Sequence, residues 1–166
     1  LVSDKKGMIW FKTGKSSLYS FEPHTKTFHQ HSLNGLLGSD NNTLTTSSIV
    51  IDSLDNIWLG SEQGLIYYDR NKEKFEVFSE ELTKRIEQAL IYAMHFDSFG
   101  NLWIGAASIG LVKYENRAIL KSCRHTPGDL ASLSPGWVNH IIESSDGKIW
   151  ITTSTQTGGL NVMDPA

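Results

Sequence analysis

Four of the five tryptophans stand at positions 10, 58, 103 and 150, at spacings of 48, 45 and 47 residues, and no other feature constrains the fold as tightly. Each is the centre of an apolar triplet, flanked by Ile9 and Phe11, Ile57 and Leu59, Leu102 and Ile104, and Ile149 and Ile151. Three residues before each tryptophan stand Gly7, Asp55, Gly100 and Gly147, and six before stand Asp4, Asp52, Asp97 and Ser144. This is turn chemistry. An Asp carboxylate accepts hydrogen bonds from nearby backbone amides, and Gly or Asn tolerates the left-handed conformation that reverses a strand. Each repeat tryptophan is therefore expected to begin the second strand of a hairpin, which makes Asp4, Asp52 and Asp97 turn formers, not acid–base groups.

Strand-like stretches precede the turns, among them Ser48-Ile49-Val50-Ile51 and Val138-Asn139-His140-Ile141-Ile142, rich in β-branched residues. After the triplets, Gly64-Leu65, Gly110-Leu111 and Gly159-Leu160 open a third strand, with Ser17-Leu18 in their place in the first copy. A fourth is visible in Phe28-His29-Gln30-His31 and Phe75-Glu76-Val77-Phe78, and more weakly at Ile119-Leu120-Lys121. Consecutive apolar residues need cover on both faces of a sheet, so each small sheet is expected to lie between two others. Four strands in a period of ~40–50 residues are the signature of a propeller blade. The expected fold is all-β: a β-propeller segment of about three and a half four-stranded antiparallel blades in an incomplete ring. Residues 1–166 form one propeller fragment, with blades at 1–33, 47–78, 91–122 and 137–164. Between them lie a polar loop at 34–46, a short amphipathic helix at 79–90 carrying Leu82, Ile86 and Leu90, and a loop at 124–135.

Composition narrows the function. Fifteen basic and eighteen acidic residues give a net charge of −3 with neither sign in a block, which argues against nucleic acid or an anionic membrane as partner. No apolar run approaches the ~18 residues of a membrane span, so no membrane contact is expected within this segment. The single Cys123 makes no internal bridge and no cysteine-rich zinc site. The opening Leu1-Val2-Ser3-Asp4, without Met, reads as a piece cut from something longer. No nucleophile motif, phosphate loop, dinucleotide fingerprint or zinc helix is present, so no catalytic residue and no cofactor are assigned. His29 and His31 alternate on a strand near His24, a pattern conceivable for a metal but more often solvated edge histidines. His95, His125 and His140 are isolated, and no metal site is assigned. Trp137 lies outside the repeat, after Pro135-Gly136, and is the one candidate ligand-binding residue.

The segments Asp97-Ser98-Phe99-Gly100-Asn101-Leu102-Trp103-Ile104-Gly105 and Asp52-Ser53-Leu54-Asp55-Asn56-Ile57-Trp58-Leu59-Gly60, each followed by Gly-Leu and a Tyr, resemble the two-component regulator propeller repeat. The stretch Asp129-Leu130-Ala131-Ser132-Leu133-Ser134, leading into Val138-Asn139, is similar to that family's linker between blades. Departures are Lys12 and Thr152 in place of the glycine after the triplet, Ser144 in place of the turn Asp, and the helix expected at Ser79 to Leu90 in place of the usual linker. The resemblance implies the extracytoplasmic, periplasmic sensor region of a Bacteroides-type hybrid two-component histidine kinase and response regulator. The implied role is a non-enzymatic ligand-sensing or interaction module responding to a glycan fragment or other small molecule, with kinase activity elsewhere in the intact receptor. The alternatives are a propeller lyase akin to streptogramin-inactivating enzymes and a generic protein scaffold. An open arc leaves two apolar faces bare, so the expected partners are other blades of the intact receptor or a second copy in a homodimer.

Overall fold

The computed structural model describes residues 1–13, 17–33, 46–61, 64–78, 89–107, 109–115, 118–155 and 157–165. The polar linker at 34–45 and the helix expected at 79–90, apart from its last two residues, lie outside them. All regular structure among the described residues is strand. The first sheet holds β1 (Val2–Ser3), β2 (Ile9–Lys12), β3 (Ser17–Glu22) and β4 (Thr27–Ser32), in chain order and antiparallel. The second holds β5 (Thr46–Ile51), β6 (Ile57–Ser61), β7 (Gly64–Asp69) and β8 (Lys74–Val77). The third holds β9 (Ile91–Phe96), β10 (Leu102–Ala106), β11 (Gly110–Glu115) and β12 (Ala118–Cys123). The fourth has three strands, β13 (Trp137–Glu143), β14 (Ile149–Ser154) and β15 (Leu160–Met163). Four antiparallel sheets stacked in succession, without closing a ring, are the propeller segment expected from the sequence.

The turns work as their residues dictate. Gly7, Gly100 and Gly147 take φ of 81, 85 and 81°, and Asp55 takes 65° at the equivalent place. In the third sheet, Asp97 Oδ1 accepts the amides of Phe99 and Asn101 at 3.1 and 2.8 Å. Its Oδ2 accepts the Asn101 side-chain amide and the Trp103 indole N–H, both at 2.9 Å. Asp4 and Asp52 hold Trp10 and Trp58 through Oδ2 at 3.1 and 3.0 Å, and the Ser144 hydroxyl holds Trp150 at 3.1 Å. The residue six before each repeat tryptophan, Asp in three copies and Ser in the fourth, thus closes the hairpin and also fixes the indole.

Paired residues in an antiparallel sheet share a face and successive residues alternate, so each triplet points both ways. Trp10 packs with Ile57, Leu59 and Ile66 of the next sheet. Trp58 packs with Leu102, Ile104 and Val112, and Trp103 with Ile149 and Ile151. Trp10, Trp58 and Trp103 therefore face forward along the chain, and the aliphatic residues that flank Trp58, Trp103 and Trp150 face the sheet behind. Trp10, Trp58 and Trp103 are buried. Trp150 is only half-buried, because no described sheet covers the forward face of the fourth.

The glycine after the triplet has a steric cause. A Cβ on Gly60 would stand 2.7 Å from Ile91 Cγ2, and one on Gly105 would stand 2.3 Å from Val138 Cγ1. The first strand of the following sheet packs directly onto the backbone there.

Candidate functional site

The strands β5, β9 and β13 lie side by side and form the inner row of the arc. Each carries a bulge near its start: Ser47, Tyr92 and Asn139 have no register partner on β6, β10 and β14. A bulge bends its strand and re-aims the extra side chain. The Ser47 hydroxyl turns toward the next sheet and donates to the Ile91 carbonyl. Tyr92 turns its ring onto that of Trp137, the first residue of β13, with centroids 5.6 Å apart and planes at 21°. Gly136, at φ 110°, sets the chain direction immediately before; a Cβ there would lie 2.9 Å from the Ser154 carbonyl oxygen.

Trp137 is 50% exposed, whereas Trp103 is fully buried. Tyr92 and Asn139 are half-buried. The result is a stacked aromatic pair bridging two sheets, open to solvent, with an amide two residues further along β13. Such a surface suits a flat ligand ring with polar edges, because the aromatic face removes apolar area from water and an amide both donates and accepts. The sequence singled out Trp137. It did not reveal Tyr92, whose role depends on the adjacency of two inner strands and on a bulge, neither of which a periodic pattern reports.

The buried carboxylates Asp4 and Asp97 are occupied in packing. Burial by itself would raise the Asp97 carboxyl, but hydrogen bonds from Asn101, Trp103 and the backbone outweigh it and hold it below the usual carboxylate range. Asp4 behaves likewise: burial opposes hydrogen bonds from Trp10 and Met8, and the Arg70 guanidinium adds its charge and its own hydrogen bond. Arg70 also lies over the Trp10 ring, 5.3 Å from its centroid, and so ties the second sheet to the first. Neither carboxylate has the free oxygen and raised pKa of a general acid.

His31 packs on Trp10 at 5.0 Å, and its Nε2 is 3.0 Å from the Ser20 hydroxyl; burial, with a smaller contribution from His29, pushes its pKa down. His29 is exposed on β4. His125 Nδ1 is 2.9 Å from the Leu133 carbonyl oxygen and so pins the loop before β13, while His140 is exposed. His95 pairs with Trp103 across β9 and β10, and burial lowers its pKa. Among the described residues, no group of three or more His, Cys, Asp or Glu side chains is placed to hold a metal ion. A cleft of about 470 Å³ between the third and fourth sheets is lined by Phe99, Lys113, Asp146 and Lys148 among others. Its charges are engaged: Lys148 meets Asp146 at 2.9 Å, and Lys113 donates to the Pro165 carbonyl at 3.2 Å.

The loop and strand that carry Trp137 are also where a known repeat matches: residues 132–155 match the two component regulator propeller. No curated protein matches the chain. Among solved structures, the extracellular domain of the hybrid two component system BT4673 from B. thetaiotaomicron superposes with a TM-score of 0.77 at 21% identity, over 96% of this chain and 20% of that one. The corresponding domain of BT3049 from the same organism gives 0.71 at 20% identity, over 99% and 22%. A luciferin-regenerating enzyme gives 0.64 at 12% identity, over 98% and 59%. The chain thus spans about one-fifth of the length of the two extracellular domains. These likenesses establish the propeller fold, which sensors and enzymes share.

Proposed function

We propose that this propeller segment is a non-enzymatic ligand-sensing module in the periplasmic part of a hybrid two-component receptor, and that it recognises a glycan fragment on the Trp137–Tyr92 surface. The observation that carries the reading is the exposure of Trp137. Three of the repeat tryptophans are sealed between sheets, yet this one is presented to solvent against a second ring. The match at 132–155 and the fold shared with extracellular domains of Bacteroides receptors support the setting. A sugar ring laid on the pair would bridge the third and fourth sheets. It would bias a receptor only if its affinity differs between two arrangements of the subunits.

The test is calorimetric titration of the chain with a panel of defined oligosaccharides, paired with a turnover screen on the same panel. Binding without turnover, lost in Trp137→Ala while the unfolding midpoint is kept, is the expected result. Turnover of any member would replace the sensor reading with a propeller enzyme. Binding that survives Trp137→Ala would move the site elsewhere.

A further inference from the structure

We infer that the Trp137–Tyr92 surface takes an uncharged glycan, one without carboxylate or sulfate groups, and that Ser154 is the side chain beside the platform that reads its hydroxyls. The inference rests on the sensing role proposed above and narrows its ligand.

The indoles supply the first contrast. All four repeat tryptophans donate their N–H to a turn residue, Trp10 to Asp4, Trp58 to Asp52, Trp103 to Asp97 and Trp150 to Ser144. Six residues before Trp137 stands Ala131, which has no acceptor to offer, and no described residue accepts the Trp137 N–H. The ring of Trp137 is stacked on Tyr92, a neighbour that the third sheet itself supplies, while its donor is uncommitted. Such an indole offers both halves of a sugar contact: its face takes the apolar C–H face of the ring, and its N–H donates to a hydroxyl.

Ser154 stands next to it. The two pair across β13 and β14, and residues directly opposite in an antiparallel ladder share a face with Cβ atoms about 4.5–5.5 Å apart. Ser154 is exposed, and its hydroxyl has no partner among the described residues. The turn that follows holds it in place. Thr153 N–H donates to the Gly159 carbonyl at 3.0 Å and Gly158 N–H to the Thr155 carbonyl at 3.1 Å. The same turn packs against the backbone before Trp137, where a Cβ on Gly136 would lie 2.9 Å from Thr155 Cγ2. The Ser154 hydroxyl is thus positioned by backbone contacts and has no bond of its own to break. The Tyr92 hydroxyl and the Asn139 amide are likewise without partners among the described residues.

Charge is missing from all sides of this group. Residues 130–142 and 149–163 contain no Asp, Glu, Lys or Arg, and neither do β9 and β10. The one carboxylate of β13, Glu143, lies at the far end of the strand, where it accepts the Ser98 amide and hydroxyl at 2.6 and 2.7 Å. A carboxylate or sulfate laid on this surface would lose water and meet no described cation, which is costly. The hydroxyls of a neutral sugar both donate and accept, and a phenol, a serine hydroxyl and a carboxamide answer in either direction.

Titration calorimetry of the chain with xylotetraose, cellotetraose and maltotetraose, set against trigalacturonate and a sulfated chondroitin disaccharide, tests this. At least one neutral member is expected to bind, with an affinity that stays level between about 50 and about 500 mM salt because no ion pair forms. Neither acidic member is expected to bind. Ser154→Ala is expected to weaken the neutral ligand about fivefold, the worth of one neutral hydrogen bond, with the unfolding midpoint kept. Ser154→Lys, which places a cation at the platform, is expected to admit trigalacturonate. An acidic member bound through Trp137 by the unaltered chain would overturn this inference and leave the sensing reading standing, and neutral binding indifferent to Ser154→Ala would overturn the role of Ser154. Binding of no member, or binding unchanged in Trp137→Ala, would overturn both readings together.

Discussion

Replacing Asp97 by Ala probes the coupling between turn and core most directly. The carboxylate is buried and accepts four hydrogen bonds, two of them from side-chain donors, the Trp103 indole and the Asn101 amide, that are themselves buried. A buried donor left without a partner costs about 1–3 kcal/mol. The Phe99 amide recovers a water, and the carboxylate's own desolvation is relieved, so we expect a net loss of about 3 kcal/mol from the three stranded buried donors, the Asn101 backbone amide included. For a domain of this size that lowers the melting temperature by roughly 6–12 °C. Asp97→Ser is the informative companion, because Ser144 already holds Trp150 by a hydroxyl at 3.1 Å. It is expected to recover about a third of the loss, on the scale of one neutral hydrogen bond at about 1 kcal/mol. Urea unfolding followed by tryptophan fluorescence measures both. A change within about 0.5 kcal/mol for Asp97→Ala, the range of an ordinary surface substitution, would falsify the claim that this carboxylate fixes the indole.

The remaining expectations concern junctions and pH. Gly105→Ala forces a Cβ to within 2.3 Å of Val138 Cγ1 and should cost about 1–3 kcal/mol in urea unfolding by overpacking. Trp103→Ala should cost about 3–5 kcal/mol, the usual range for a buried large aromatic, and Trp150→Ala less than half as much in the monomer, because one of its faces lacks a covering sheet. Asp4 and Asp97 have folded pKa values below their ordinary ones, so their contribution is fully present above the unfolded carboxylate pKa of ~3.9 and is lost as pH falls through the folded values. The urea midpoint should therefore hold between pH ~7 and ~5 and drop below ~4, with a shallower drop in Asp97→Ala.

The blade could be read from the sequence because its parts are local. A turn Asp, a left-handed residue and an apolar triplet all fall within eight residues, and their recurrence across the chain leaves little freedom in assigning strands. Burial of the triplets was legible for the same reason, since consecutive apolar residues need two covered faces. Three things were not legible. The second bond of each turn Asp, to the indole six residues on, depends on strand register. The glycine at 60 and 105 reads as a motif letter, and only the approach of Ile91 and Val138 explains it. The Tyr92–Trp137 pair joins residues from adjacent sheets through a bulge. Trp137 itself stood out by failing to fit the repeat, whereas Tyr92 lies in a strand whose composition resembles its neighbours'.

The polarity of the triplet sets where function can reside. With the tryptophan forward and its neighbours backward at each internal junction, the faces of an enclosed sheet are committed to packing, and a substitution there alters stability before it alters binding. Variation is then tolerated only at the ends of the inner strands, at the hairpin tips such as exposed Leu54 and Phe99, and in the linkers. Among these the inner-strand bulges differ in kind. Ser47, Tyr92 and Asn139 occupy equivalent positions with a fixed backbone, yet their chemistry ranges from hydroxyl to phenol to amide. A constant scaffold position carrying variable side chains is what recognition of different ligands by a shared fold requires. If packing alone set these positions, exchanging Tyr92 for Ser, the residue already present at the matching bulge in the second sheet, would leave ligand binding unchanged. On the present reading, Tyr92→Ser keeps the unfolding midpoint within about 1 kcal/mol and weakens oligosaccharide binding as measured by calorimetry, because half of the aromatic platform is gone.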